Sequence, residues 1–167
     1  PSRRWQTRNP MEPHSPGFLP PADTPAEVSI MMDDIAWRRA VRDLGPLIAR
    51  TVRNAATLPV NVVLADDRTV QRLNLRHRGK NKPTNVLTFE PAAPGLPGEI
   101  VIALGTVRRE ALALGRAPRA HLAHLLVHGC LHLAGYDHAL AGEARRMEMA
   151  EARILHHLGI ANPWRRR

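Results

Sequence analysis

Five of the chain's nine histidines fall within 18 residues, HLAHLLVHGCLHLAGYDH, from His121 to His138. The apolar residues between them predict a helix through Leu133. Two histidines four apart on a helix differ by about 40° of rotation and roughly 6 Å of rise, so both imidazoles can reach one point beside it. His124 and His132 would be about 12 Å apart along the axis, too far to share an ion whose ligand bonds are near 2 Å. The choice therefore lies between the pairs His124/His128 and His128/His132. Gly135 can take the left-handed conformation that ends a helix, and the turn would bring His138 back towards the second pair. His128, His132 and His138 are thus expected to bind one zinc ion, with a fourth position open to water, as in a catalytic site. His124 becomes a supporting or substrate-side candidate, and His121 is expected at the surface.

Two neighbours narrow the chemistry. Cys130 is turned about 200° from His128 around the helix, so it reads as a small buried residue and not as a fourth ligand. The spacing H-x3-H-x2-G-x2-H also matches the zinc stretch of metzincin proteases, which use a Glu after the first His as general base. Gly129 stands there, so the base for peptide hydrolysis is missing. Asp137 can orient a ligand imidazole, as outer carboxylates commonly do, or can serve the turn as a cap.

Positioning such a helix takes a domain, and 167 residues suffice for one with a sizeable core. Short runs at Val28–Met32, Val60–Leu64, Asn85–Phe89 and Glu99–Ala103 predict four strands. Helical spacing appears from Asp34 to about Ala56, interrupted near Pro46, and from Asp66 or Asp67 as cap through Leu75. Further helices run from Thr106 as cap to about Leu114, from Pro118 through the histidines, and from Glu143 to Leu158 on a stripe of Met147, Ile154, Leu155 and Leu158. The fold class is α/β (α+β): a mainly four-stranded mixed sheet flanked by about five helices, with the zinc site at the end of a central helix. Residues 1–25 are proline-rich without apolar periodicity and read as a disordered extension; 27–163 form the domain, and 164–167 a basic tail.

Net charge is +9 at pH 7 and the isoelectric point about 11.4, carried mainly by arginine. That excess favours a polyanion, nucleic acid before a membrane surface. No apolar run is long enough to span a bilayer. A single cysteine excludes an intrachain disulfide and fits a reducing, cytoplasmic setting. Between Arg76 and Thr84 the chain is a basic loop with Arg76, His77, Arg78, Lys80 and Lys82, broken by Gly79 and Pro83, which suits a phosphate grip.

HGCLHLAGYDH, residues 128 to 138, resembles the HGxLHLxGYDH signature of the YbeY family of metal-dependent endoribonucleases. LNLRHRGKNKPTNVLTF, residues 73 to 89, is similar to that family's LN-x3-R-x3-KPTDVLSF segment, and GEIVIA at 98–103 to its GDI-type strand. The resemblance implies zinc held by the three histidines and a functional arginine at Arg78. It also implies single-strand-specific RNA cleavage in ribosomal RNA maturation, at the 3′ end of the small-subunit RNA, and in ribosome quality control. Lys82, Thr84, Asn85, His124, Tyr136 and Asp137 are candidates for substrate binding or support. Asn85 stands where the family commonly has Asp, Thr88 for Ser, Glu99 for Asp, and Cys130 where Ser is frequent. A non-catalytic ribosome-assembly factor and a metallohydrolase of another substrate are the competing readings.

Overall fold

The computed structural model describes residues 26–137 and 141–164; the proline-rich extension and the last three arginines lie outside them. In chain order the elements are β1 (Val28–Met32), α1 (Trp37–Ala40), α2 (Leu44–Ala55), β2 (Val60–Ala65), α3 (Asp67–Arg78), β3 (Val86–Phe89), β4 (Gly98–Ala103), α4 (Leu104–Ala113), α5 (Pro118–Leu133) and α6 (Ala141–His157). The four strands form one mixed sheet in the order β1-β2-β4-β3. The pairs β1/β2 and β2/β4 are parallel and β3/β4 is antiparallel. The α+β class and four-stranded sheet expected from the sequence are both present, with six helices among the described residues, one of them a single turn.

Strand alternation divides the core in two. Val62, Leu64, Ile100 and Ile102 point to one face and are buried against apolar residues of α2, α5 and α6. Ala65, Leu87, Val101 and Ala103 point to the other, where Val70 of α3 is buried and Leu73 packs beside it. The histidine helix thus lies on the larger core and the basic helix on the smaller one.

Several boundaries depart from the sequence expectation. The first helical region breaks at Val41, which is extended, and at Asp43, which has φ 50°; Pro46 sits inside the first turn of α2, where its missing N–H costs nothing. Asp66, not Asp67, caps α3 through the Thr69 N–H at 2.7 Å. That N–H holds the Asp66 carboxyl below the usual carboxylate range. Thr106 is not a cap but lies within α4; its N–H donates to Asp67 Oδ1 at 2.8 Å, so α4 is capped by a side chain 39 residues away. Helix α3 runs on to Arg78, and its C-terminal Gly79 takes φ 68°. Arg76, His77 and Arg78 are therefore the last helical turn, and residues 79–85 form the loop, so that β3 starts one residue later than expected. Asn74, buried in α3, donates to the Lys82 carbonyl at 2.7 Å and ties that loop back along the helix.

Candidate functional site: a carboxylate behind paired imidazoles

Helix α5 begins with Pro118 in its first turn and ends in a turn of two reverse hydrogen bonds. Gly135 N–H reaches the His132 carbonyl and Tyr136 N–H the Leu131 carbonyl, with Gly135 at φ 87°. This is the left-handed termination that needs glycine. The helix packs very closely on the sheet. A Cβ on Gly129 would lie 2.9 Å from Ile100 Cδ1, and one on Gly98 would lie 2.7 Å from the Leu133 methyls. So α5 runs antiparallel to β4, with its C-terminal end over the start of that strand. Gly129, where a metzincin-type base would stand, faces the sheet. Cys130 is fully buried as expected, and burial pushes its thiol up to about 12, which leaves it without thiolate chemistry.

His128 and His132 lie at the partly open end of this helix with their Nε2 atoms 3.0 Å apart. Each ring is anchored from behind. His128 Nδ1 lies 2.7 Å from Glu151 Oε1, and His132 Nδ1 lies 3.0 Å from the Tyr136 carbonyl. A neutral imidazole carries one proton, and carboxylate and carbonyl partners place it on Nδ1 in both rings. Two Nε2 lone pairs then face each other at a separation that repels. A shared cation removes the conflict, and two ligand bonds of about 2.0–2.1 Å at a tetrahedral angle set nitrogens about 3.3 Å apart. The donor set therefore fits a metal ion. His138, the third expected ligand, lies outside the described residues. Among the described residues, no three His, Cys, Asp or Glu side chains group as a metal site.

Glu151 is the residue that sequence reasoning missed. It is 1% exposed, reached from the facing helix α6, and collects three donors. These are His128 at Oε1, and His124 at 3.2 Å and Trp164 Nε1 at 2.8 Å, both at Oε2. Burial by itself would raise its carboxyl. The hydrogen bonds and charges of His124 and His128 outweigh burial and hold it at about 2. One signal was present: Glu151 sits four residues after Met147 and four before Leu155, an acid on the apolar stripe of α6. Asp137, expected to orient a ligand imidazole or to cap the turn, is exposed. Tyr136 contributes its carbonyl to His132, and its own side chain is exposed.

The remaining candidates divide between the two ends of α5. His121, expected at the surface, is 4% exposed; its Nε2 meets Glu110 Oε2 at 2.8 Å, and burial lowers its pKa. Glu110 also accepts from Asn85 Nδ2 at 3.0 Å, while the Asn85 carbonyl takes the Ala103 N–H. Thr84 and Asn85 therefore lie at the end of β4 beside His121, distant from His128 and His132. Arg78 ends α3, which packs on the sheet face opposite α5. Its neighbour His77 stacks edge-on against Phe89 with ring centroids 5.0 Å apart, and Phe89 pairs with Glu99 at the start of β4. Arg76, Arg78, Lys80 and Lys82 are exposed. Among the described residues, no hydrogen bond or ion pair joins Arg78 to the histidines.

The α+β sheet thus carries a carboxylate-anchored imidazole pair on one face and a helix with a basic last turn on the other. Residues 25–159 match the family model described as endoribonuclease YbeY. The endoribonuclease YbeY of Gluconobacter oxydans (strain 621H) is 48% identical over 160 residues, covering 88% of this chain and 93% of that protein. That of Rhodopseudomonas palustris (strain BisA53) is 41% identical over 164 residues, covering 88% and 92%. A solution structure of a Thermotoga maritima protein is 23% identical with a TM-score of 0.51, covering 83% of this chain and 99% of that one, and it shows the fold. The chain belongs to the YbeY family of endoribonucleases. It is accordingly a hydrolase whose substrate class is RNA.

Proposed function

We propose that this chain is a zinc-dependent, single-strand-specific endoribonuclease of ribosomal RNA processing. It would act at the 3′ end of the small-subunit RNA and in ribosome quality control, in the cytoplasm and with the ribosome or small subunit as partner. The observation that carries the metal-dependent part is the pair of Nε2 atoms 3.0 Å apart whose Nδ1 atoms are both already engaged. His128, His132 and His138 would hold the ion. When bound, zinc supplies a Lewis acid that makes water a nucleophile near neutral pH.

The chain's own residues do the rest. Glu151 and the Tyr136 carbonyl keep each Nδ1 protonated and each Nε2 lone pair aimed outward. Arg78, at the end of α3, would pair with the phosphoryl oxygens and offset charge building there, a role in which removing one donor commonly costs about 3–4 kcal/mol. Exposed Arg76, Lys80 and Lys82 extend a basic track for the strand on either side of the scissile phosphate, so binding should weaken steeply with salt.

The test is cleavage of single-stranded RNA by a nuclease-free, zinc-loaded preparation, with products mapped on ribosomal RNA. His132→Ala should abolish cleavage and Arg78→Ala should reduce it about 100-fold or more. Variants that cleave as well as wild type would refute the reading. RNA binding without turnover, undiminished by metal removal, would instead mark a non-catalytic assembly factor.

A further inference from the structure

The end of the chain returns to the site by a defined path. After α6, Gly159 takes φ 72° and Ile160 N–H bonds back to the Leu155 carbonyl, which turns the backbone off the helix. Arg50 of α2 donates to the Leu158 carbonyl at 3.2 Å, and Arg116, ahead of α5, donates to the Pro163 carbonyl. Asn162 Oδ1 accepts the Trp164 N–H at 2.9 Å. These ties end with the Trp164 indole against His124, ring centroids 5.7 Å apart at 88°, and its Nε1–H on Glu151 Oε2 at 2.8 Å. Trp164 lies beyond residue 159, where the family match stops.

We propose that Trp164 is a positioning residue of the metal site, delivered by this C-terminal strap and acting through Glu151. The inference rests on the reading of His128 and His132 as ligands. Glu151 has one oxygen for His128, and its orientation depends on what holds the other. His124 holds Oε2 at 3.2 Å, a length at which an N–H bond is weak, whereas the indole holds it at 2.8 Å. Glu151 is 1% exposed, and exclusion of water strengthens its bond to His128. His128 is thereby kept in one tautomer and one ring orientation.

The experiment measures zinc affinity of the full chain by competition with a chromophoric chelator. Trp164→Phe keeps the ring but removes the N–H, and Trp164→Ala removes both. Glu151→Gln and the double variant Glu151→Gln/Trp164→Phe complete a cycle. Glu151→Gln should weaken zinc binding about 10- to 100-fold, as loss of an outer carboxylate does. Trp164→Phe should weaken it about 2- to 10-fold, the worth of one hydrogen bond, and Trp164→Ala by at least as much. Because the indole acts through the carboxylate, adding Trp164→Phe to Glu151→Gln should cost nothing more, a non-additivity that general destabilisation would not produce. In the metal-free protein the His128 Nδ1–H resonance should shift in Trp164→Phe. Wild-type affinity in folded Trp164→Phe, or losses that add in the double variant, overturns the proposal and leaves the metal reading intact. A wild-type protein that takes up no zinc overturns both.

Discussion

Replacing Glu151 by Gln tests the physical centre of the site without any substrate. The carboxylate is buried and accepts hydrogen bonds from His124 and His128. Its carboxyl moves from an ordinary 4.5 to about 2 because those partners outweigh its burial. A folded value below the unfolded one means that folding is favoured above pH 4.5, and that this contribution fades as pH falls from about 4.5 towards 2. At 1.36 kcal/mol per pH unit the shift is worth about 3 kcal/mol. Gln keeps the shape but does not titrate, so the variant lacks that pH-dependent contribution. Urea denaturation of both proteins, metal-free and at constant ionic strength, should show wild type ahead by its largest margin near pH 5.5. The gap should narrow by most of about 3 kcal/mol by pH 2. A gap that stays constant across that window would refute the assignment of Glu151 as an ionised anchor for the histidines.

Gly129→Ala should lower thermal stability, because overpacking at Ile100 costs about 1–3 kcal/mol and exceeds the roughly 1 kcal/mol that Ala gains in a helix. Gly142→Ala, with nothing near the added methyl, should not destabilise the protein in the same melt. Cys130 should resist alkylation in the native protein and react only on unfolding, since its thiol is buried and raised to about 12; fast labelling under native conditions would contradict its placement. Asp67→Ala removes the acceptor of Thr106 N–H and the partner of Arg109 at 2.8 Å, and should cost about 1–2 kcal/mol in denaturant titration. Asp67→Asn, which keeps an oxygen for the N–H, should recover most of it.

Much of this molecule was legible in its sequence because the governing interactions are local. Helical period alone sets His128 and His132 on one stripe, turns Cys130 inward, and lets Gly135 stop the helix where a left-handed residue is needed. Alternation in Val60–Leu64 and the apolar run Glu99–Ala103 likewise give strands within a residue of those observed. What tertiary structure alone decided is what stands behind those histidines. Glu151 reaches His128 across the packing of α6 on α5, and Trp164 reaches Glu151 from a chain end that Arg50 and Arg116 tie back. His121 meets Glu110 because α4 packs beside α5, and Arg78 ends a helix that covers the sheet face opposite α5. A carboxylate on an apolar stripe costs stability unless donors meet it, and the donors here come from chain segments up to 27 residues away. Periodicity tells which face a residue occupies; only the packed fold tells what it faces.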